Sequence, residues 1–281
     1  FTIQEKRNFI RHNLEQFGSI SKVCKMMNIS RATYYYKAKD SSKKYSDFQI
    51  RDMIENIHTE FPFYGYRRIY QSLLREGIRV NSKHLKRVMR EFELYSSLKR
   101  FMRPRGTHSS FKLRYENKIK GLKLDGPNQV WATDITYIKL KENFVYLSAV
   151  IDIYTRKIVG WSISDSLTHE FCIESMKSAI EKEKPPEGVI HHSDRGVQYV
   201  CEPYVKYLLN NGFVPSMSRP ATPQDNAFIE SFFKTLKKEE VYFKKYKTLS
   251  DVIKSLPKFI EEVYNKKRLH SSLGYKSPEE F

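Results

Sequence analysis

Trp131-Ala132-Thr133-Asp134-Ile135-Thr136-Tyr137 is the stretch whose reading decides the fold. Aromatic and β-branched residues dominate it, so it reads as a strand. A carboxylate sits in its middle, and a charge among apolar neighbours is costly to bury without compensation. Working outward, residues 129–138, 143–152 and 157–164 share the same texture, with 152–156 as a turn, and predict an antiparallel meander of three strands. Beyond it, a helix is expected over 168–183, ending before Pro185-Pro186. A short buried strand at 189–192 runs into Ser193-Asp194-Arg195-Gly196, and then come a helix at 202–211 and a strand at 213–217. Three strands, helix, strand, helix, strand, helix is the order of an α/β domain over 127–281, a mixed five-stranded sheet flanked by helices, with the later strands parallel.

The last helix of that order starts near Asp225. In Asp225-Asn226-Ala227-Phe228-Ile229-Glu230-Ser231-Phe232-Phe233-Lys234-Thr235-Leu236-Lys237, residues Ile229, Phe232, Phe233 and Leu236 form one apolar face. Glu230, Lys234 and Lys237 share the next stripe, an arrangement suited to meeting something anionic. Asp194 ends the fourth strand, where open α/β sheets place their sites. Glu230 follows 36 positions later. Asp152 reads as a turn residue and Asp225 as a helix cap or a group that orients Glu230. His191 and His192 are neighbours on a strand and point to opposite faces, so they do not form a metal pair.

Two smaller helical modules precede this domain. In residues 1–39 a helix over 5–17 carries Phe9, Ile10, Leu14 and Phe17 on one side. A turn at Asn28-Ile29 and an N-cap at Ser30 then predict a helix-turn-helix. The second helix of such a motif enters the major groove by its first residues, here Arg31, Thr33 and Tyr34. Residues 40–96 read as a second such module: Ile50, Met53, Ile54 and Ile57 keep the helical period, Phe61-Pro62 stops that helix, Gly77 closes the next and Ser82 caps a third. Arg67, Arg68, Lys83, Lys86 and Arg87 are its expected phosphate contacts. Residues 97–126 read as a basic linker, with nine Lys/Arg and one acid between 99 and 123.

The charge distribution agrees. Residues 1–125 hold 28 Lys/Arg against 12 Asp/Glu, whereas 126–281 hold 22 against 20, so +16 of the net +18 belongs to the front of the chain. That is the footprint of a polyanion binder, and no apolar run is long enough to make a membrane the anion. Cys24, Cys172 and Cys201 are widely spaced and odd in number, which suits a reducing cytoplasm rather than a disulfide framework or a zinc site.

Asp134 in Trp-Ala-Thr-Asp-Ile-Thr-Tyr, Asp194 in His-Ser-Asp-Arg-Gly and Glu230 in Asp-Asn-Ala-Phe-Ile-Glu-Ser-Phe resemble the acidic triad of DDE transposases and retroviral integrases, and the 35 residues between the last two acids fit that pattern. The chain is most similar to the second-reading-frame proteins of bacterial insertion sequences of the IS-three family. Ile29-Ser30-Arg31 with Tyr34-Tyr35, Tyr64-Gly65-Tyr66-Arg67-Arg68-Ile69, and the tail Tyr264-Asn265, Arg268, His270-Ser271-Ser272-Leu273-Gly274 and Pro278 extend the likeness over nearly the whole chain.

The resemblance implies a ribonuclease H-like integrase core in which Asp134, Asp194 and Glu230 are catalytic and hold two Mg²⁺ ions, with Mn²⁺ able to substitute. It implies hydrolysis at the element's 3′ end and attack of the freed 3′-OH on a second phosphodiester, with closure to a circle as the favoured path. Lys234 and Lys237 match the positions at which integrases contact the viral DNA end. The implied partners are double-stranded DNA, as terminal inverted repeats and target, a second copy of the chain on DNA, and an upstream-frame protein or fusion joined by frameshifting. No membrane is implied, and the location is the bacterial cytoplasm. Two other readings compete: a non-catalytic DNA-binding accessory of a longer fusion transposase, and a nuclease acting on RNA–DNA hybrids. The modules ahead of the acids argue against the latter.

Overall fold

The structure, a computed structural model, describes residues 2–36, 45–96, 115–219 and 222–281. The expected meander is present: β1 (Val130–Lys139) pairs antiparallel with β2 (Phe144–Asp152), and β2 with β3 (Ile158–Ser164). Two parallel additions, β4 (Ile190–Ser193) beside β1 and β5 (Val214–Met217) beside β4, complete a five-stranded sheet in the order β3-β2-β1-β4-β5. β1 is therefore central. Residues 116–118 meet the open edge: Lys118 N donates to Ser216 Oγ at 2.9 Å and Met217 N donates to Glu116 O at 3.4 Å, so this segment lies against β5. The expected basic linker lies for the most part outside the described residues.

Both faces of the sheet are covered, as parallel strands require. Strand alternation sends Val130, Ala132 and Ile138 to one face and Trp131 and Ile135 to the other. The second face packs on α8 (Glu170–Glu183) and, past the short α9 (Val197–Val200), on α10 (Glu202–Asn210). α8 lies close to β3 because Gly160 has no side chain; a Cβ there would collide with the Ser175 carbonyl and with Ala179.

The first face packs on the run after β5. A 3₁₀ turn, Pro223–Asn226, leads into α11 (Ala227–Leu236), a π turn (Lys237–Val241) and the short α12 (Tyr242–Lys244). Ile229, Phe232, Phe233 and Leu236 are all buried against β1 and β2, as their spacing predicts. The single helix expected over 225–237 is thus three pieces, and the π turn carries Glu239, Glu240 and Val241 together to the buried side. α13 (Leu249–Lys258) and a π-helical continuation, Phe259–Lys267, close this face.

The front of the chain is helical as expected. α1 (Ile3–His12) begins in a capping box at Thr2; the helix expected over 5–17 breaks at Asn13, and α2 (Leu14–Phe17) follows. Ile10 is buried while Phe9 is exposed, so the apolar side is narrower than the sequence suggests. α3 (Ile20–Met26) and α4 (Arg31–Tyr35), capped by Ser30, complete the predicted helix-turn-helix around Ile10, Val23 and Cys24, with Asn28 in the left-handed conformation at the turn. In the second module α5 (Asp47–Glu60), α6 (Tyr66–Arg75) and α7 (Ser82–Glu91) surround Ile50, Ile54, Ile69, Leu73, Leu85 and Val88. Its last helix is capped by Asn81, which accepts from Lys83 N, and Ser82 is the first helical residue rather than the cap.

This second module is not a separate bead. Leu269 of the C-terminal tail enters its core, and Leu269 N donates to Tyr64 Oη at 3.0 Å. Arg75 pairs with Glu280, and Lys267 with Glu60. Among the described residues no helix is long and apolar enough to cross a membrane.

Candidate functional site

The parallel pairing of β1 and β4 sets the site. Val130 stands beside Ile190, Trp131 beside His191 and Ala132 beside His192. Asp134 lies two residues further along β1 and Asp194 is the residue that follows the end of β4, so the parallel pairing leads both acids onward from its last matched pair. By alternation Asp134 is on the face of Ala132, the face that α11 covers. Asn226, at the entrance to α11, fixes that helix: its Nδ2 donates to Thr133 O at 3.1 Å. Glu230 is one turn further on and exposed. The three acids therefore reach one region from two strands and a helix.

The electrostatics of Asp134 reflect that arrangement. The Asp134 carboxyl is pushed up to about 8, first by burial and next by the negative charge of Asp194, with Glu230 adding to it; the Ile135 N–H and the charge of Lys237 work in the opposite direction. Asp194 is also raised, by desolvation, against the N–H of Gly196, which donates to its Oδ1 at 2.8 Å. Ile135 N donates to Asp134 Oδ1, likewise at 2.8 Å. Like charges gathered in a partly desolvated place are an arrangement that a cation relieves. The donors are all carboxylate oxygens, the hard ligands that Mg²⁺ prefers. They do not form a closed cage: among the described residues no group of three or more His, Cys, Asp or Glu is assembled tightly enough to hold a metal as it stands.

Lys237 borders the acids. It is half-buried, with Nζ 4.3 Å from the centre of the Tyr137 ring, and burial lowers its pKa against the pull of Asp134. Lys234 is exposed one turn earlier. The π turn that begins at Lys237 separates the two, so the stripe is less regular than an unbroken helix would make it.

The other acids and the histidines serve the fold. Asp152 accepts from the backbone N–H groups of Asn128, Tyr154 and Thr155 and organises the β2–β3 turn. Asp225 neither caps α11 nor orients Glu230; it accepts from Arg219 N at 3.0 Å and Arg219 Nε at 3.3 Å and so pins the preceding loop. His191 meets Thr133 Oγ1 and Tyr204 Oη, and His192 meets Ser216 and Ser218, on opposite sides of the sheet. Burial pushes these histidines down to about 3 and about 4, so both are neutral.

The residues expected to touch DNA divide into two groups. Arg31 and Arg67 are exposed, and Lys86 lies with Nζ 4.2 Å from the Tyr66 ring centre, next to Arg67, whose Nε donates to Tyr66 Oη. Thr33 is tied down by Ser30 Oγ, and its carbonyl accepts from Arg7 Nε at 2.7 Å. Tyr34 packs on the small core and edge-on to Tyr35, so it is a packing residue, not one offered to a base. Arg87 is engaged by Glu91 and Asp47. Arg68 is a correction: its Nη1 lies 3.4 Å from Glu239 Oε1, inside the contact between the second module and the core.

That contact is what the sequence reading missed. Arg268 makes a two-pronged ion pair with Glu239, Nε to Oε2 at 2.7 Å and Nη2 to Oε1 at 2.8 Å, with both side chains buried. Asn265 is fully buried and clamps β3, Oδ1 accepting from Ile158 N and Nδ2 donating to Ile158 O. A signal was present. Glu239 and Glu240 continue the apolar stripe of Ile229, Phe232, Phe233 and Leu236, and carboxylates at such positions require partners.

With this geometry in place, the chain was compared with known proteins. The family profiles described as "Integrase core domain" match residues 125–223 and 211–278, and an "HTH-like domain" profile matches 46–101. The transposase for insertion sequence element IS904 of Lactococcus lactis is 39% identical over 78% of this chain and 87% of its own length. Transposase InsF for insertion sequence IS3A of Escherichia coli is 30% identical over 97% of this chain and 96% of its own length. A solved HTLV-2 integrase catalytic core domain in complex with magnesium covers 54% of this chain and 94% of that one, at 17% identity and a TM-score of 0.42.

Proposed function

The chain belongs to the insertion-sequence transposases of the IS-three family, enzymes of the DDE transposase and integrase type, and we propose that Asp134, Asp194 and Glu230 are the carboxylates that carry its reaction. The observation that supports this reading is the parallel pairing of β1 and β4, from whose last matched pair Asp134 and Asp194 are each two residues onward, while Asn226 holds the start of the Glu230 helix against β1.

Two Mg²⁺ ions, or Mn²⁺, held by these three side chains would supply Lewis-acid stabilisation to the attacking and leaving oxygens of an in-line displacement at phosphorus. The chain's own part is to position. Asp134 and Asp194 are fixed by backbone N–H groups, so their free oxygens keep a set direction. Lys237, desolvated against Tyr137, offers a positive charge beside Asp134 to the non-bridging oxygens of a DNA phosphate. Lys234 extends that contact along the same helix. Water opens the phosphodiester at the element's 3′ end, and the freed 3′-OH attacks a second phosphodiester, with no side chain becoming covalently attached. The favoured second target is the same strand near the other end of the element, which gives a circle.

DNA is the partner the helical modules serve. Of the side chains considered, Arg31, Arg67 and Lys86 are the ones we assign to its phosphates, while Thr33, Tyr34, Arg68 and Arg87 hold the modules together. Terminal inverted repeats and target DNA are the proposed substrates, in the bacterial cytoplasm. A second copy of the chain, and an upstream-frame protein or fusion, would join it there.

The test is Asp194→Asn, assayed with Mg²⁺ on a labelled duplex carrying the element's end. Cleavage and joining should vanish while the duplex is bound as before. Products formed at the wild-type rate by this variant would remove the assignment. Ca²⁺ should support assembly on DNA with little product, and Mg²⁺ or Mn²⁺ should support both.

A further inference from the structure

Alongside α11, bordered by Ile151 of β2, by Arg68 of the second module and by the tail, lies a cavity of about 430 Å³. Arg68, Arg156 and Arg268 line it, together with the hydroxyl-bearing Ser231 and Thr235 on successive turns of α11. Among the described residues no carboxylate lines it. Glu239 is committed to Arg268 and Arg68. Asp152 acts on Arg156 from the turn behind it, with its oxygens taken by three backbone N–H groups.

Arg156 is the unusual member. It occupies the left-handed region, φ 63°, at the end of the β2–β3 turn, a conformation that a non-glycine residue adopts only when its surroundings hold it there. Its guanidinium carbon lies 4.0 Å from the centre of the Phe228 ring, which fixes the plane of the group. Its Nη1 is buried and has no hydrogen-bond partner among the described residues. A buried charged donor without an acceptor is expensive, and native structures rarely keep one. The convergence of charge has a second mark: His270, also in the lining, is pushed down to about 3 by burial and by Arg268, Arg68 and Arg156.

We propose that this cavity is a binding site for a phosphate-class oxyanion, which accepts from Arg156 Nη1 and from the hydroxyls on α11. A planar guanidinium held flat on a ring suits two-pronged recognition of phosphate oxygens. The anion is either a backbone phosphate of bound DNA or free inorganic phosphate. The choice of DNA rests on the transposase reading; the site itself does not. Because Ser231 follows Glu230 directly, a DNA phosphate seated here would hold the strand along the helix that carries the third acid.

The test uses the full chain and needs no catalysis. Sodium phosphate is titrated calorimetrically and in thermal unfolding, against sodium chloride at matched ionic strength. The wild type should show saturable binding and a matching rise in melting temperature. Arg156→Gln should weaken binding at least tenfold. Ser272→Asp, which puts a carboxylate at an exposed position of the rim, should do the same without disturbing the core, and it decides the matter should Arg156→Gln fail to fold. In a second arm, DNA binding is followed against salt. A fall of about one in the slope for Arg156→Gln identifies the ligand as a DNA phosphate, whereas an unchanged slope with lost phosphate binding identifies free anion, and both support the site. Absence of any phosphate effect in the wild type, with an unchanged DNA slope in the variant, overturns it. Cleavage scored separately keeps the two readings apart: intact cleavage with neither a phosphate effect nor a change in the DNA slope sinks the cavity alone, and phosphate binding in a chain that never cleaves sinks the catalytic reading alone.

Discussion

Glu230 and Glu239 stand nine positions apart on one helical run, and their surroundings are opposite. Glu239 is buried and satisfied, gripped by Arg268 and approached by Arg68. Glu230 is exposed, and its charge falls on Asp134, another acid. A buried carboxylate paired with guanidinium groups belongs to the fold, because removing either partner leaves a charge stranded. At Asp134 the charges of Asp194 and Glu230 act in one direction and that of Lys237 in the other, an arrangement that a cation would relieve. Burial separates the two acids, and so does the sign of what each one faces.

The sharpest way to break the contrast is to neutralise one member of each group. Asp194→Asn, or Glu230→Gln, should reduce strand cleavage by about 10³-fold or more, equivalent to ~4 kcal/mol in the barrier, with no loss of melting temperature. A comparable loss of stability would mean that the acids were structural after all. Glu239→Ala should do the reverse, lowering unfolding free energy by roughly 3–5 kcal/mol by stranding two arginines. Denaturant unfolding measures it, and a cost near zero would show that the pair contributes nothing.

His270 tests the same arginine cluster through pH. Its folded pKa lies near 3, well below the ordinary histidine value, so it stays neutral in the fold while the unfolded chain takes up a proton. Its contribution is therefore complete above about pH 6.5 and is lost as pH falls toward the folded value, at up to about 1.4 kcal/mol per pH unit. Between pH 6.5 and 4.5, His270→Gln should lose roughly 2–3 kcal/mol less than the wild type in pH-dependent unfolding. Parallel curves would remove the charge convergence from the account. Lys237→Ala is the smallest effect: DNA-end affinity should fall and its salt slope should decrease by about one, and an unchanged slope would confine Lys237 to its contact with Tyr137.

Much of this was legible in the sequence. Every strand of the sheet was located within a residue or two because β-branched and aromatic runs alternate with clear turn signals. The burial of Ile229, Phe232, Phe233 and Leu236 followed from spacing alone. The candidate acids were visible because each is anomalous where it stands: Asp134 inside a strand, Asp194 at a strand's end, Glu230 beside an apolar face. What the sequence hid depends on distant partners. Nothing local in Tyr66-Arg67-Arg68 says that Arg68 turns inward while Arg67 stays out; that is set by Glu239, 171 residues away. The π turn was hidden for a related reason, since it forms where Glu239 and Glu240 have partners to reach on the buried side. Nothing in the sequence singles out Asn226, yet its side chain ties α11 to β1.

The central claim is that Asp134, Asp194 and Glu230 form one cation site, and Mn²⁺ titration followed by electron paramagnetic resonance tests it most directly. The wild type should take up Mn²⁺, and Asp134→Asn, Asp194→Asn and Glu230→Gln should each weaken that uptake at least tenfold, while Glu239→Gln leaves it unchanged. Uptake by the Glu230→Gln variant equal to that of the wild type would contradict the claim.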